Sequence, residues 1–585
     1  MAVRSDDLSS FPFFAGLEAK TLKAITKAGH EETIKGGRAL VKQDDPAQAL
    51  FFVLSGRLMV ARRTVADTGE DQPRGDDDTP LSDDIVIGYI GAGEPAGEMA
   101  LLLDERHSAT IYALRDTTVL RVDHERFDML LERHADLAAR LSRLLLRRAR
   151  QPRNTQKHAK PRVFALIGAS PSIDIDQYAA DLTNAVTRLG ARTIHLTTID
   201  PVGANEVFHQ MEADHEVIIL SARVNDTDWY RFVLRHADRF LVFARRDAVP
   251  PSPFPLAPDD RSPARRFRLV DLVMVPDGTP ACPVTQWRDA VGAERIFFWT
   301  GNETRHRLAR VITGQSFGLI LSGGGARAYA HVGALRAIRE AGIPLDFVCG
   351  TSMGAIIAAC FALGWNDAEI DYRIRKAFVE SNPLSDFNLP VVALTRGKLV
   401  EDRLKAHFGD ARIEELSTPF FCLSAELTEG RSHVHRDGFL REALRASISL
   451  PGILPPVIKG DKLLVDGGLI NNFPTNLMAA THRGLNIGID VARKGSIEPG
   501  DYTDAPGFFG WIRRNGFRTP PPIVGLLMRA SSTRRESTAI YREADIMISP
   551  AVPGVDLRSW HAYDTAVAEG YAATREALAN HGPLI

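Results

Sequence analysis

Ser352 stands in Gly350-Thr351-Ser352-Met353-Gly354, the G-x-S-x-G spacing of a nucleophile elbow. An apolar run, Phe347-Val348-Cys349, precedes it and another, Ile356 to Leu363, follows, so the serine falls at a strand-to-helix turn with a glycine on either side to relieve the crowding. Upstream, the strand-like run Phe317 to Leu321 ends in Gly323-Gly324-Gly325-Ala326-Arg327, ahead of a helical run from Ala328 to Ala341. Unobstructed amides at such a helix start suit a developing oxyanion or a phosphate, and the elbow close by favours the oxyanion. A serine also needs a base. The run Leu463 to Val465 delivers Asp466 into Asp466-Gly467-Gly468, although Asp-Gly is equally the composition of a plain turn. Asp490, ending LNIGIDV, is the rival carboxylate, and His482 and His561 are the histidines on which an orthodox triad would draw.

Other residues carry weaker signals. Arg327 suits an oxyanion or a lipid phosphate, or a surface carboxylate as ordinary partner. His433 and His435, two apart on a strand-like run, share a face; zinc there needs ligands the sequence does not display, so strand packing is preferred and no metal is expected. Residues 506–522 mix Phe508, Phe509, Trp511 and Phe517 with Arg513, Arg514 and Arg518, a composition that fits an interfacial patch or lid as well as burial against a sheet.

The elements that must position these groups need several domains, because 585 residues exceed one core at roughly 150 residues per domain. A formal net charge of -2 gives no global reason to expect nucleic acid. Cys282, Cys349, Cys360 and Cys422 have neither metal nor disulfide spacing, which fits a reducing compartment. The polar, acidic start lacks a secretory h-region, and no run reaches the ~18 apolar residues of a spanning helix. The expected location is the cytoplasm, free or peripheral to a membrane.

From Phe11 to about Arg150 the pattern is short helix, alternating strands and helix. Ala47 to Arg63 alternates apolar and polar residues with a turn at Ser55-Gly56, which predicts a hairpin. Residues 66–84 are an acidic loop, and a helix is expected over Phe127 to Arg150, running into a basic linker at 151–160. Such a linker suits solubility, or anionic lipid at ~1 kcal/mol per charge. Gly91 to Thr110 (GAGEPAGEMALLLDERHSAT) resembles the phosphate-binding cassette of the cyclic nucleotide-binding domain, a β-roll, with Gly97, Glu98, Ala100, Leu101, Ala109 and Thr110 on the family's positions. His107 falls where the resemblance puts the phosphate-binding arginine; Arg106 lies one place early and Ser108 follows. A neutral imidazole is a poorer phosphate ligand than a guanidinium fork, and neighbours on an extended chain face opposite ways. A cyclic nucleotide effector is therefore an open expectation, against a roll kept as a docking or regulatory module that binds no nucleotide. No helix-turn-helix follows it, which counts against DNA. Residues 161–305 alternate strands and helices, which predicts a small parallel α/β spacer without a catalytic motif.

The segments SGGGARAYAHVGAL, GTSMG, ALRASISLPGILPP and VDGGLINNFP together resemble the patatin-like phospholipases, more closely the neuropathy target esterase branch, over roughly residues 314–578. The order of β-roll, spacer and patatin domain is similar to that branch too. The resemblance implies a multidomain α/β chain: roll 1–150, linker 151–160, spacer 161–305 and patatin-like domain 314–585. It implies a Ser-Asp dyad without histidine, mapping to Ser352 and Asp466, with Gly323 to Arg327 as oxyanion loop. Ala328 replaces the last glycine of that loop's motif, and the family's eukaryotic members begin with a spanning helix not present here. The expected activity is hydrolysis of acyl esters of lysophospholipids or phospholipids at a membrane or micelle surface, without a cofactor. Acyl transfer by the same dyad, or a non-catalytic scaffold signalling through the roll, are the alternatives.

Overall fold

The computed structural model of the chain describes residues 8–9, 11–63, 84–150, 161–200, 204–225, 227–256, 269–276, 278–380, 384–388, 391–491, 513, 544–555, 559–582 and 584. Residues 66–83 of the acidic stretch, the linker 151–160 and, apart from Arg513, the stretch 506–522 lie outside them. Two compact units divide the chain, Met1–Ile312 and Thr313–Ile585.

The first unit opens with a β-roll of two four-stranded antiparallel sheets, one built on Ala49–Ser55 and the other on Arg57–Arg63. These two strands do not pair with each other, so the expected hairpin is instead a corner between sheets. Gly56 turns it at φ +94°, where a Cβ would stand 2.5 Å from the Thr117 Cα. The helix expected over Phe127 to Arg150 is likewise two helices, His124–Arg133 and Ala135–Arg150. His134 breaks it with φ -129°, and its ring sits 3.0 Å from the hydroxyl of Thr21, which in turn donates to Asp136. Beyond the roll comes a six-stranded, wholly parallel sheet in the order Thr193–Leu196, Val217–Arg223, Val163–Gly168, Arg239–Arg245, Leu269–Val275 and Arg295–Phe298. Continuous Val, Ile, Leu and Phe runs make such doubly covered strands. Within this unit Arg115 of the roll is buried against Glu212 and Asp238 of the α/β part.

The second unit is one eight-stranded mixed sheet. Its main path runs Val457–Lys459, Lys462–Asp466, Phe420–Glu426, Phe347–Thr351, Ser316–Leu321, Gly484–Ile489 and Ile546–Ile548. Arg431–His435 pairs with the other edge of Phe420–Glu426. The helix expected from Ala328 begins as a 3-10 turn, Gly325–Tyr329, before the α-helix Ala330–Glu340. That helix packs against the last one, Tyr563–His581, so closely that a Cβ on Gly570 would lie 1.9 Å from the Ala330 carbonyl oxygen and one on Gly333 would lie 1.9 Å from that of Val567. Tyr329 fills the same interface, its ring 4.9 Å from that of Tyr563. No described helix is long and apolar enough to cross a membrane.

Gly570→Ala should therefore force the two backbones apart and lower stability by about 3 kcal/mol, read as a fall in the denaturation midpoint. A second expectation concerns three core histidines. Burial pushes His331 down to about 4, His435 to about 3 and His236 to about 4, so each is neutral in the fold. In the unfolded chain they titrate near ~6.5. Their contribution is thus intact above about pH 6.5 and is lost as pH falls, because the unfolded chain takes up protons that the fold refuses, at ~1.4 kcal/mol per pH unit for each histidine. Denaturation midpoints should fall between pH 7 and pH 5, and His331→Gln should remove one proton from the slope; an unchanged slope would refute this assignment.

Candidate active site

Two strands meet head to head on one edge of Phe420–Glu426. Phe347–Thr351 runs parallel to it, with Thr351 opposite Leu423, whereas Lys462–Asp466 runs antiparallel, with Asp466 opposite Ser424. Because Arg431–His435 occupies the other edge along residues 422–426, both strands approach from the same side. Their ends bring Ser352 to Asp466, 114 positions away, and the serine Oγ donates to Asp466 Oδ2 at 2.6 Å. The second carboxylate oxygen accepts the Gly468 N–H at 2.7 Å, and the Asp466 amide donates to the Ser449 carbonyl at 2.9 Å. Asp466 is buried, while Ser352 is half-buried.

Ser352 has φ +54° and ψ -130°, a left-handed region that costs a non-glycine residue about 1–3 kcal/mol. The surrounding contacts hold it there. Its amide donates to the hydroxyl of Ser447 at 2.9 Å, and the helix Met353–Ala362 begins at once. Neither flanking glycine has room for a side chain: a Cβ on Gly350 would lie 2.6 Å from Gly354, and one on Gly354 would lie 2.4 Å from the Ser322 carbonyl oxygen. On the acid side, a Cβ on Gly467 would lie 2.4 Å from the Leu423 carbonyl oxygen.

The glycine loop touches the same serine, for a Cβ on Gly323 would fall 3.0 Å from the Ser352 Cβ. Gly323 is held at both ends of its peptide by Asn472: its N–H donates to the Asn472 carbonyl at 3.3 Å, and its carbonyl accepts from Asn472 Nδ2 at 3.1 Å. Of the five loop positions expected in the oxyanion site, Gly323 and Arg327 thus have their amides engaged, that of Arg327 donating to the Gly324 carbonyl at 3.2 Å. The N–H groups of Gly324, Gly325 and Ala326 face no acceptor among the described residues. Arg327 is half-buried, its Nε 3.5 Å from the Gly324 carbonyl. His331 anchors the loop from behind, its Nε2 2.9 Å from the Ser322 carbonyl.

Ser447, Ser449 and Asn472 were not singled out in the sequence, although two of the diagnostic segments, ALRASISLPGILPP and VDGGLINNFP, contain them. Arg445, buried, fixes Ser449 through its Nη1, 2.6 Å from the hydroxyl. Thr351 adds a bond from its hydroxyl to the Asn471 carbonyl at 3.1 Å. No described bond joins Ser352 to the rival residues. His482 has its Nδ1 2.9 Å from Ser316 and its Nε2 3.0 Å from Asn486, and it stacks on Phe347. His561 is exposed on the turn Trp560–Ala562, and Asp490 is buried with its amide on the Ile548 carbonyl. His433 and His435 lie edge to face, with His435 bonded to Ser424 at 2.7 Å.

In the roll, Gly97 takes φ +84° and opens the helix Glu98–Leu103. His107 is buried, with its amide on the Asp45 carbonyl; Arg106 and Ser108 are exposed, and Arg106 donates to the Asp44 carbonyl. Burial and the alternation of neighbours on an extended chain thus turn the imidazole in and the guanidinium out. Burial also lowers the pKa of His107, only partly offset by Asp45. Glu98 is buried against a different guanidinium, that of Arg148 on the helix Ala135–Arg150, which also donates to the Pro95 carbonyl at 3.2 Å.

These parts coincide with known families. A patatin-like phospholipase model matches residues 319–479 and a cyclic nucleotide-binding domain model matches residues 31–134. An uncharacterised NTE family protein of Mycobacterium tuberculosis is 29% identical over 99% of this chain and 97% of its own length. Human patatin-like phospholipase domain-containing protein 6 is 25% identical over 82% of this chain and 38% of its own length, and lysophospholipase NTE1 of Yarrowia lipolytica is 24% identical over 84% and 41%. Residues 319–479 are thus a patatin-like phospholipase domain and residues 31–134 a cyclic nucleotide-binding domain, joined in a chain that is similar to NTE family proteins over nearly its whole length.

Proposed function

We propose that the chain is a serine esterase that hydrolyses acyl esters of lysophospholipids or phospholipids through Ser352 and Asp466. The observation that carries this reading is the 2.6 Å bond from the Ser352 hydroxyl to a buried carboxylate, inside a patatin-like phospholipase domain. Asp466 takes the serine proton as Oγ attacks the ester carbonyl. The amides of Gly324, Gly325 and Ala326 receive the oxyanion; one such donor is worth about 10²–10³ in rate. Collapse expels the alcohol, which takes the proton from Asp466 and leaves an acyl-serine. Water then gives a proton to Asp466 and attacks the acyl carbon; Ser352 departs with that proton and the fatty acid is released. Burial of Asp466 withdraws the water that would compete for its lone pairs. On this reading the catalytic part spans residues 314–585, with the roll over 1–150 as a regulatory module and residues 161–305 as a spacer.

Ser352→Ala and Asp466→Asn should each abolish turnover of a chromogenic short-chain ester; equal activity in wild type and Ser352→Ala would favour a scaffold instead. Asn472→Ala should reduce kcat by about 10²-fold with little change in KM, because it frees the loop to drift from the serine. Product analysis with an added alcohol separates hydrolysis from acyl transfer. The roll acts in this proposal without tight nucleotide binding, since His107 replaces an arginine and Glu98 is already paired. Calorimetric titration with cyclic AMP and cyclic GMP should give no saturable heat at micromolar ligand, and a saturable isotherm would refute that part.

A further inference from the structure

One short stretch of chain holds the backbones of both proposed catalytic residues. Ser447, the last residue of the helix Leu440–Ser447, takes the Ser352 N–H on its hydroxyl at 2.9 Å, and Ser449 takes the Asp466 N–H on its carbonyl at 2.9 Å. Both serines are fully buried. A drift of residues 447–449 therefore displaces nucleophile and acid together. Arg445, itself buried, is the side chain that braces this stretch, and each nitrogen of its guanidinium has its own acceptor. Nη1 donates to the Ser449 hydroxyl at 2.6 Å, Nη2 to the Pro455 carbonyl at 3.2 Å and Nε to Glu401 Oε1 at 3.2 Å. The Ser449 hydroxyl in turn donates to the Arg445 carbonyl at 2.7 Å, so side chain and backbone close a ring at the helix end. Gly397, at φ +76°, leaves the guanidinium its room, since a Cβ there would lie 2.6 Å from Nη2.

Stability alone accounts poorly for this arrangement. Glu401, on the helix Lys398–Phe408, has a side chain 57% exposed, and an ion pair so well hydrated contributes little. Burial meanwhile works against the charge of Arg445 and lowers its pKa, with Glu401 and Asp386 as the acids that favour the cation. The other two bonds go to neutral oxygens of Ser449 and Pro455. A planar fork that spans three acceptors fixes their spacing, which a point charge does not. We infer that Arg445 is a positioning residue: its fork fixes residues 445–449 and, through Ser447 and Ser449, the approach of Ser352 to Asp466. It is bonded to neither of those two residues, so its effect passes wholly through the backbone contacts. For its purpose this rests on the proposed dyad.

Two variants of the full chain separate geometry from charge. Arg445→Lys keeps the cation without the fork, and Glu401→Gln removes the ion pair and keeps the fork. Arg445→Lys should lower kcat for a chromogenic short-chain ester by about 10- to 100-fold with KM within about twofold of wild type, because the ester still binds while the dyad is misplaced. Glu401→Gln should leave kcat within about twofold. Ser449→Ala, which removes one contact of the fork and no charge, should act in the same direction as Arg445→Lys. The two together should cost no more than the larger single loss. Amide hydrogen exchange reads the same contacts without turnover: the amides of Ser352 and Asp466 should exchange about tenfold faster in Arg445→Lys and at the wild-type rate in Glu401→Gln. If Arg445→Lys exchanges throughout the chain, and so is unfolded, Ser449→Ala carries the same comparison. Wild-type kcat or unchanged exchange in the folded variant overturns the inference, as does an equal loss in Glu401→Gln. If the wild type turns over no ester, the proposed function fails, and exchange at Ser352 and Asp466 still decides whether Arg445 holds them.

Discussion

The meeting of Ser352 with Asp466 hangs on two strands ending against one edge of a third. Phe347–Thr351 and Lys462–Asp466 come from opposite directions to consecutive positions of Phe420–Glu426, Leu423 and Ser424. Sheet register, not side-chain reach, therefore fixes where Ser352 and Asp466 stand. Backbone ladders are the stiffest reference a fold offers, and a 2.6 Å bond between residues 114 positions apart is the outcome. A slip of one residue on either strand would turn its last side chain to the other face of the sheet.

Around that junction the serine, its acid and the glycine loop are held by bonds that converge from two segments. Ser447 takes the Ser352 amide, Asn472 clamps Gly323, and Ser449 takes the Asp466 amide. Each uses a short polar side chain or a bare carbonyl on a backbone group, so the geometry costs little side-chain entropy to hold. The glycines serve the same end, since at 350, 354 and 467 neighbouring backbone fills the space where a Cβ would go.

The elbow and glycine loop stood out because each joins an apolar strand to a helix through glycine, whereas the acid turn showed only an apolar strand ending in Asp-Gly-Gly. The parallel order of the spacer was legible for a similar reason, its strands being nearly uninterrupted aliphatic runs. Other features left no such trace. Nothing periodic distinguishes Ser447 or Asn472 from any polar residue at a turn, and Arg148 reaches Glu98 from 50 positions away. The alternation through Ser55-Gly56 fits a hairpin as well as a corner, and only the close approach of Thr117 to Gly56 separates them. His134 reads as one more polar position on a long helix, yet its contact with Thr21 breaks the run.

The last helix, Tyr563–His581, packs its Gly570 on Ala330 and its Tyr563 on Tyr329, at the foot of the glycine loop. The footing of the glycine loop is therefore a contact between segments far apart in the chain, and a perturbation that loosens Tyr563–His581 would reach the Gly324, Gly325 and Ala326 amides without touching Ser352 or Asp466.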